Sequence, residues 1–105
     1  MANVLTRLAR TIESRKGEDE KNSYAAKLFK RGPEKCAEKF GEEAVEAIIA
    51  AVKNDKKNLK EEAADVIFHL FIMLSSRGVT LEDVLEELER REGISGIVEK
   101  QNRKK

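Results

Sequence analysis

Glu42-Glu43-Ala44-Val45-Glu46 and Glu62-Ala63-Ala64-Asp65 are the two stretches that decide how this chain folds. Each stretch lies in a segment whose apolar residues recur at helical spacing. Because residues three or four apart are neighbours on one face of a helix, the carboxylates of each stretch form a band of like charge that weakens the isolated helix. The fold or a bound group must therefore offset that repulsion.

The segment around the second stretch is apolar on almost every side. One broad face carries Leu59, Ala63, Val66, Ile67, Leu70, Met73 and Leu74, and Ala64, Phe68, Phe71 and Ile72 extend it. A helix this apolar is expected to be buried in a core or between subunits. Its polar residues Glu62, Asp65 and His69 form one narrow stripe, which faces the acidic edge of the first helix if the two helices pack antiparallel.

Carboxylates in apolar surroundings either take up protons or are neutralised by a cation. Oxygen ligands beside solvent suit Mg²⁺, which keeps part of its water and accepts substrate phosphates as further ligands. The two stretches together therefore predict a magnesium site. The alternative is that these glutamates are solvated surface residues, as single glutamates usually are in a chain with 39% charged residues.

The composition indicates a single helix-rich domain. The chain has 105 residues, 40% of them apolar, and a formal net charge of +1, which gives no global field for nucleic acid or a membrane surface. No apolar run is long enough for a signal peptide or a membrane span. The one cysteine, Cys36, excludes an internal disulfide and fits a reducing compartment. We expect a cytoplasmic protein that binds neither nucleic acid nor membrane.

Helical spacing, capping residues and glycines predict an all-α bundle of four to five helices. The expected helices run roughly from Asn3 to Ser14, from a cap at Ser23 to Lys30, from Pro33 to Asn54, from an Asn58 and Glu61 capping box to Arg77, and from a cap at Thr80 to about Arg91. We divide the chain into one all-α domain, residues 1–92, and a C-terminal tail, residues 93–105, which is expected to be partly disordered. So few helices leave the most apolar one hard to cover within one subunit, which favours a two-fold dimer.

The order of these motifs resembles a known family. Glu-Glu-x-x-Glu followed by Glu-x-x-Asp is the signature of the all-α nucleoside-triphosphate pyrophosphohydrolases, the MazG-like superfamily. The flanking residues narrow the resemblance to the phosphoribosyl-ATP pyrophosphatases of histidine biosynthesis, over about residues 3–92. These flanking residues are Ser23-Tyr24-Ala25-Ala26-Lys27-Leu28-Phe29, Gly32-Pro33-Glu34-Lys35, Lys39-Phe40-Gly41, and Val66-Ile67-Phe68-His69-Leu70.

The resemblance implies a nucleotide-binding, Mg²⁺-dependent homodimer that hydrolyses 1-(5-phosphoribosyl)-ATP to 1-(5-phosphoribosyl)-AMP and pyrophosphate. The implied metal ligands are Glu43, Glu46, Glu62 and Asp65, and the implied catalytic residues are these four with Glu42. The residues implied to bind substrate phosphate and ribose groups are Lys27, Arg31, Lys35, Lys39 and Tyr24. Glu42 is then either a ligand through water or the base that deprotonates the nucleophile. The cyclohydrolase of the next step is expected on a separate chain.

His69 has two interpretations at this point. It lies four residues after Asp65 on the polar stripe, where it can hold a liganding carboxylate in place from outside the metal's own ligands. It can equally be a core histidine with one hydrogen bond. Direct ligation is the least favoured option because Mg²⁺ prefers oxygen.

Two other functions stay open. A house-cleaning pyrophosphohydrolase for noncanonical or ordinary nucleoside triphosphates fits the acidic motif equally well, and only residues 23–41 argue against it. The chain can also be a non-catalytic helical dimerisation module whose acidic stripe is solvated or paired with lysines of its partner. Such a module would show no magnesium-dependent stabilisation and no turnover.

Overall fold

The computed structural model describes residues 3–94 and 96–103, which form six α-helices and no strand within those ranges. In chain order they are α1 (Asn3–Ser14), α2 (Tyr24–Arg31), α3 (Pro33–Val52), α4 (Lys56–Ser76), α5 (Leu81–Arg91) and α6 (Gly96–Arg103). The all-α prediction is confirmed. The sixth helix, α6, lies in the tail, residues 93–105, that is expected to be partly disordered. Residues 95, 104 and 105 of that tail lie outside the described residues.

The junction between α2 and α3 follows the expected caps. The Ser23 hydroxyl accepts a hydrogen bond from the Ala26 N–H at 3.1 Å and so begins α2. Gly32 ends the helix with a φ of +99°, and its N–H donates to the Leu28 and Phe29 carbonyls. Pro33 then occupies the first turn of α3, where its missing N–H costs no hydrogen bond. A sharp, fixed turn therefore places the basic α2 beside the start of α3.

The start of α4 differs from its prediction. The side chain of Asp55 accepts from the Asn58 N–H at 3.1 Å, so Asp55 is the cap and α4 begins at Lys56. The expected capping box of Asn58 with Glu61 is wrong, because the aspartate three residues earlier already satisfies the free backbone donor. The preceding helix α3 ends at Val52, before Asn54, which adopts a φ of +59° in the turn.

The cap of α5 has the expected form. The Thr80 hydroxyl accepts from the Asp83 N–H at 3.0 Å, and the Asp83 carboxylate accepts from the Thr80 N–H at 2.9 Å. This is the reciprocal capping box that the sequence predicts.

The α3–α4 hairpin is the scaffold of the molecule, and α1 and α2 pack against it. A short turn joins two helices of similar length, so they run antiparallel. The core between these four helices consists of Ile12, Ala25, Leu28, Cys36, Phe71 and Ile72. On α4 the most deeply buried side chains are thus on the Phe71 and Ile72 side, and Ala63 and Ile67 of the predicted broad face are exposed.

An apolar stripe on α3 remains open to solvent. Val45, Ile48, Ile49 and Val52 follow the spacing of a single helix face, and we call them the α3 stripe. Ile48 is 60% exposed and Val52 is 82% exposed. Contiguous exposed apolar residues of this kind mark an interaction surface.

None of the helices in the described ranges is, taken singly, long and apolar enough to cross a membrane. The helices α4 and α5 satisfy the same length and composition test only together, across a bend of 107°.

Candidate active site

Three carboxylates from the two helices of the hairpin meet at one point. Glu43 comes from α3, whereas Glu62 and Asp65 come from α4, where their three-residue spacing places them on one face. One carboxylate oxygen from each residue lies within 4.8 Å of the other two. We call these three residues the acidic cluster. The sequence predicts that the two acidic stretches face each other if their helices pack antiparallel, and the helices do pack in this way.

The acidic cluster is electrostatically unsatisfied. Glu62 Oε2 is enclosed and has no hydrogen-bond partner within the part of the chain that the structure describes. Burial, followed by the charges of Glu46, Asp65 and Glu43, raises the pKa of Glu62. Burial and then the charge of Glu46 also raise the pKa of Glu43, against a smaller opposing effect of His69. The site therefore favours a proton or a cation at this point.

The other two acidic residues of the first stretch lie outside the cluster. Glu46 is exposed and does not belong to the three residues that converge, but its charge acts on both Glu43 and Glu62. Glu42 is also exposed, and it accepts a hydrogen bond from Lys39 Nζ at 3.0 Å. The structure thus places one of the predicted catalytic carboxylates in an ion pair with one of the predicted phosphate-binding lysines.

The basic residues divide into two groups. Lys39 and Lys35 lie near Tyr24, since burial raises the pKa of Tyr24 and the charges of both lysines oppose that rise. Lys39 also lies near the cluster, where its charge opposes the rise in the pKa of Glu43 that burial causes. Lys35 is also paired with Glu38, at 2.6 Å. Lys27 and Arg31 are exposed on α2 and form no ion pair within the described ranges. Their role in binding phosphate stays a prediction.

Within the described ranges, His69 forms no hydrogen bond with a carboxylate. Its Nδ1 lies 2.8 Å from the backbone carbonyl oxygen of Asp65, and its Nε2 lies 3.0 Å from the Tyr24 hydroxyl. The side chain is 6% exposed and both ring nitrogens are bonded, so neither expected role describes it fully. The contact with Tyr24 was missed because sequence spacing cannot show which residue of α2 meets α4.

Two clefts lie close to these helices. One, of about 320 Å³, lies between α1 and the junction of α4 and α5, and its lining includes none of the predicted site residues. The other, of about 290 Å³, is bounded by the end of α1, the start of α2 and Phe68, and it shares Tyr24 with the site. Tyr24 therefore borders both the acidic cluster and a cleft large enough for part of a ligand.

An antiparallel helix pair that gathers carboxylates from both helices, beside a basic helix, is the arrangement that the resemblance to the all-α pyrophosphohydrolases implies. Comparison with known families makes this specific. The model of the family described as phosphoribosyl-ATP pyrophosphohydrolase matches residues 5–92, and the chain belongs to this family.

Individual relatives agree with the family match. A protein named phosphoribosyl-ATP pyrophosphatase from Rhodobacter capsulatus is 67% identical over 97 residues, which cover 92% of this chain and 94% of the relative. Proteins of the same name from Cereibacter sphaeroides and Paracoccus denitrificans are 65% and 64% identical over 100 residues. These two alignments each cover 95% of this chain, and 97% and 93% of the respective relatives.

Proposed function

We propose that this protein hydrolyses phosphoribosyl-ATP to phosphoribosyl-AMP and pyrophosphate, the second step of histidine biosynthesis, with Mg²⁺ held by the acidic cluster. The relatives' shared name supports the substrate, since the match extends over nearly all of each chain. The observation that carries the chemistry is the enclosed and unpartnered Glu62 Oε2 within the acidic cluster. A buried carboxylate oxygen without a donor is costly unless a cation binds it.

The residues present suit a hard divalent cation. All the converging atoms are carboxylate oxygens, which Mg²⁺ prefers, and the exposure of Asp65 leaves room for water and substrate. We propose Glu43, Glu62 and Asp65 as ligands. Glu46 would be a fourth ligand, because its charge acts on both Glu43 and Glu62. When bound, Mg²⁺ supplies charge neutralisation at phosphate oxygens and lowers the pKa of a coordinated water.

The remaining groups bind and orient the substrate. The charge of Lys39 acts on Glu43, and the charges of Lys39 and Lys35 act on Tyr24. We propose that these two lysines bind the substrate's phosphates together with Lys27 and Arg31 of α2. Phosphate binding by Lys39 releases Glu42 from its ion pair. Glu42 is then free to accept the proton of the attacking water, which is one of the two roles open to it.

The test is pyrophosphate release from phosphoribosyl-ATP, dATP and dUTP, with and without Mg²⁺. Wild type should release pyrophosphate from phosphoribosyl-ATP only when Mg²⁺ is present, and Glu46→Gln should abolish this release. Glu61→Gln, an equal charge change at an exposed neighbour of the cluster, is the matched control and should stay active. Release from dATP or dUTP would move the protein to house-cleaning hydrolysis, and no release from any of them would make it a helical module.

We also propose that the α3 stripe is covered by a second copy of the chain. The stripe lies on the helix that supplies Glu43, and nothing in the described part of the chain packs over Val52. A two-fold axis packs this surface against the same surface of a second copy, so that both are buried and the assembly ends at a dimer. A cytoplasmic location fits the single, reduced cysteine and is part of the same proposal.

The dimer is tested by placing a charge in the α3 stripe. Ile48→Glu should convert a dimer into a monomer in gel filtration with light scattering, because an unpaired carboxylate in an apolar interface is strongly unfavourable. Asn58→Glu adds the same charge at an exposed position of α4 and should remain dimeric. A wild-type monomer at micromolar concentration would contradict the proposal.

A further inference from the structure

His69 joins two helices through both of its ring nitrogens. On its own helix, Nδ1 faces the carbonyl oxygen of Asp65 one turn earlier, at 2.8 Å. Across the helix interface, Nε2 faces the hydroxyl of Tyr24 in the first turn of α2, at 3.0 Å. Because the ring is almost completely buried, these two contacts fix its orientation.

In the neutral imidazole, the two contacts also fix where the protons lie. A carbonyl oxygen only accepts hydrogen bonds, so Nδ1 must carry the ring proton of the neutral imidazole. Nε2 then has a lone pair and accepts the hydroxyl proton of Tyr24. A phenol has only one such proton, so toward any other group the Tyr24 oxygen can act only as an acceptor.

The Tyr24 hydroxyl is held beside the acidic cluster. Its ring packs at 6.3 Å from Phe68 and at 5.6 Å, edge to face, from His69. These two α4 residues follow Asp65 within one turn. The charges of Lys39 and Glu43 act on the Tyr24 hydroxyl, which independently places it near both the basic and the acidic side of the site.

We propose that His69 is a positioning residue that fixes the Tyr24 hydroxyl as a hydrogen-bond acceptor at the edge of the acidic cluster. The group it receives is an O–H donor of the bound complex, either a ribose hydroxyl of the substrate or a water on the cation. Ionised phosphate oxygens carry no proton and are excluded as its partner. The Tyr24 hydroxyl therefore accepts a hydrogen bond from an O–H group and does not bind a phosphate oxygen. This inference rests on the proposed function.

The proton positions can be measured without any turnover. The chain contains one histidine and one tyrosine, so a long-range ¹H–¹⁵N spectrum of the intact protein shows a single imidazole. At a pH where the ring is neutral we expect a protonated Nδ1 and a lone-pair Nε2, and Tyr24→Phe should shift the Nε2 signal far more than the Nδ1 signal. A proton on Nε2, or an Nε2 chemical shift that is unchanged in Tyr24→Phe, would overturn the inference.

Kinetics test whether the hydroxyl is used. Tyr24→Phe keeps the ring packing and removes only the oxygen. It should raise the ligand concentration needed for half-saturation about fivefold to tenfold. His69→Leu should do the same, whereas His69→Gln, which offers a carboxamide oxygen as acceptor, should recover part of the loss. The double variant Tyr24→Phe with His69→Leu should lose no more ligand binding than the single variant with the larger loss, because His69 acts through that hydroxyl. Thermal melts establish that each variant is folded.

The quantity that changes identifies the donor. A higher KM for phosphoribosyl-ATP at saturating Mg²⁺ assigns a ribose hydroxyl, and a higher Mg²⁺ requirement at saturating substrate assigns a cation-bound water. If Tyr24→Phe leaves both within twofold of wild type, or if the losses from Tyr24→Phe and His69→Leu simply multiply, the inference is wrong. If wild type releases no pyrophosphate, the proposed function fails, and the tautomer with its response to Tyr24→Phe decides this inference alone.

Discussion

The helix α4 contributes to two carboxylate sites that differ in their hydrogen-bond donors and in the direction of their pKa shifts. Near its start lies the acidic cluster, where Glu62 Oε2 has no donor. Near its end, Ser75 donates its hydroxyl to Glu13 at 2.5 Å, and Lys16 pairs with Glu13 at 3.1 Å while donating to the Ser75 carbonyl at 2.8 Å. We call Glu13, Lys16 and Ser75 the Glu13 network.

The surroundings move the pKa values of the two sites in opposite directions. The Ser75 hydroxyl and then Lys16 lower the pKa of Glu13. Burial and like charges raise the pKa of Glu43 and Glu62. A carboxylate that receives donors stabilises the fold, whereas one that is denied them destabilises it and is available for a cation. The comparison separates the residues that hold the molecule together from those that act.

Glu62→Gln should produce the largest difference between the two sites. The amide cannot hold a cation as a carboxylate does, so Mg²⁺-dependent pyrophosphate release should fall by at least about 100-fold. In the absence of Mg²⁺ the same variant should melt at a higher temperature than wild type, because it removes an ionised group from a site that repels it. Activity assays and thermal melts with and without Mg²⁺ measure both effects.

Glu61→Gln controls for the loss of one negative charge on α4. Its side chain is exposed and outside the acidic cluster, so it should leave both the activity and the Mg²⁺ response near those of wild type. If Glu62→Gln instead lowered the metal-free melting temperature, the orphaned oxygen would have an unrecognised stabilising partner, and the contrast between the sites would fail.

The two sites should also give opposite dependences of stability on pH. Glu43 and Glu62 have raised pKa values in the folded state, so the metal-free fold binds protons more tightly than the unfolded chain. Their contribution to stability therefore falls as pH rises from the ordinary carboxyl range through the raised values. The pKa of Glu13 is lowered, so its contribution is present above the ordinary carboxyl range and is lost as pH falls.

Thermal melts from acid pH, below the ordinary carboxyl range, to neutral pH, compared between wild type, Glu62→Gln and Glu13→Gln, separate these contributions. Glu62→Gln should remove part of the loss of metal-free stability toward neutral pH. Glu13→Gln should remove part of the loss toward acid. Saturating Mg²⁺ should abolish the first effect and leave the second, and a wild-type profile identical to that of both variants would contradict the assignment.

Local features of the fold could be predicted because they depend on neighbours in the chain. The Ser23 cap, the Gly32 and Pro33 junction and the Thr80 capping box each use side chains within three residues of the helix end they cap. The convergence of the acidic cluster was also predictable. Helical spacing sets which carboxylates share a face, and a short turn makes the two helices antiparallel.

The features that were missed depend on choices between competing local groups or on contacts distant in sequence. Asp55 and Asn58 are both good caps, and the chain uses the earlier one. The bond between Tyr24 and His69 and the bond between Ser75 and Glu13 join residues 45 and 62 positions apart, which no periodicity relates.

Removing the Glu13 network should affect stability and not catalysis. Ser75→Ala takes away the hydroxyl that donates to Glu13 and should destabilise the protein by about 1 kcal/mol, the usual net value of such a bond. The figure stays at that level because Glu13 is 62% exposed and water can replace the lost donor. Chemical denaturation measures the change, and kcat and KM should match wild type. A substantial fall in kcat would mean that this end of α4 also serves the reaction.

A third carboxylate, Glu87 on α5, separates the effect of burial on a carboxyl pKa from the effect of neighbouring charges. It receives donors from Arg90 at 2.7 Å and Arg91 at 2.9 Å, which lower its pKa to about 2. This site faces water, and salt near 1 M shortens the screening length to about 3 Å, so the pKa of Glu87 should climb toward its ordinary value. The raised pKa of Glu62 is caused first by burial and should persist in the same salt. Side-chain carboxyl NMR titrations at low and high salt test this: a fall of the Glu62 pKa toward its ordinary value in high salt would mean that charge repulsion, and not enclosure of Glu62 Oε2, sets the acidic cluster apart.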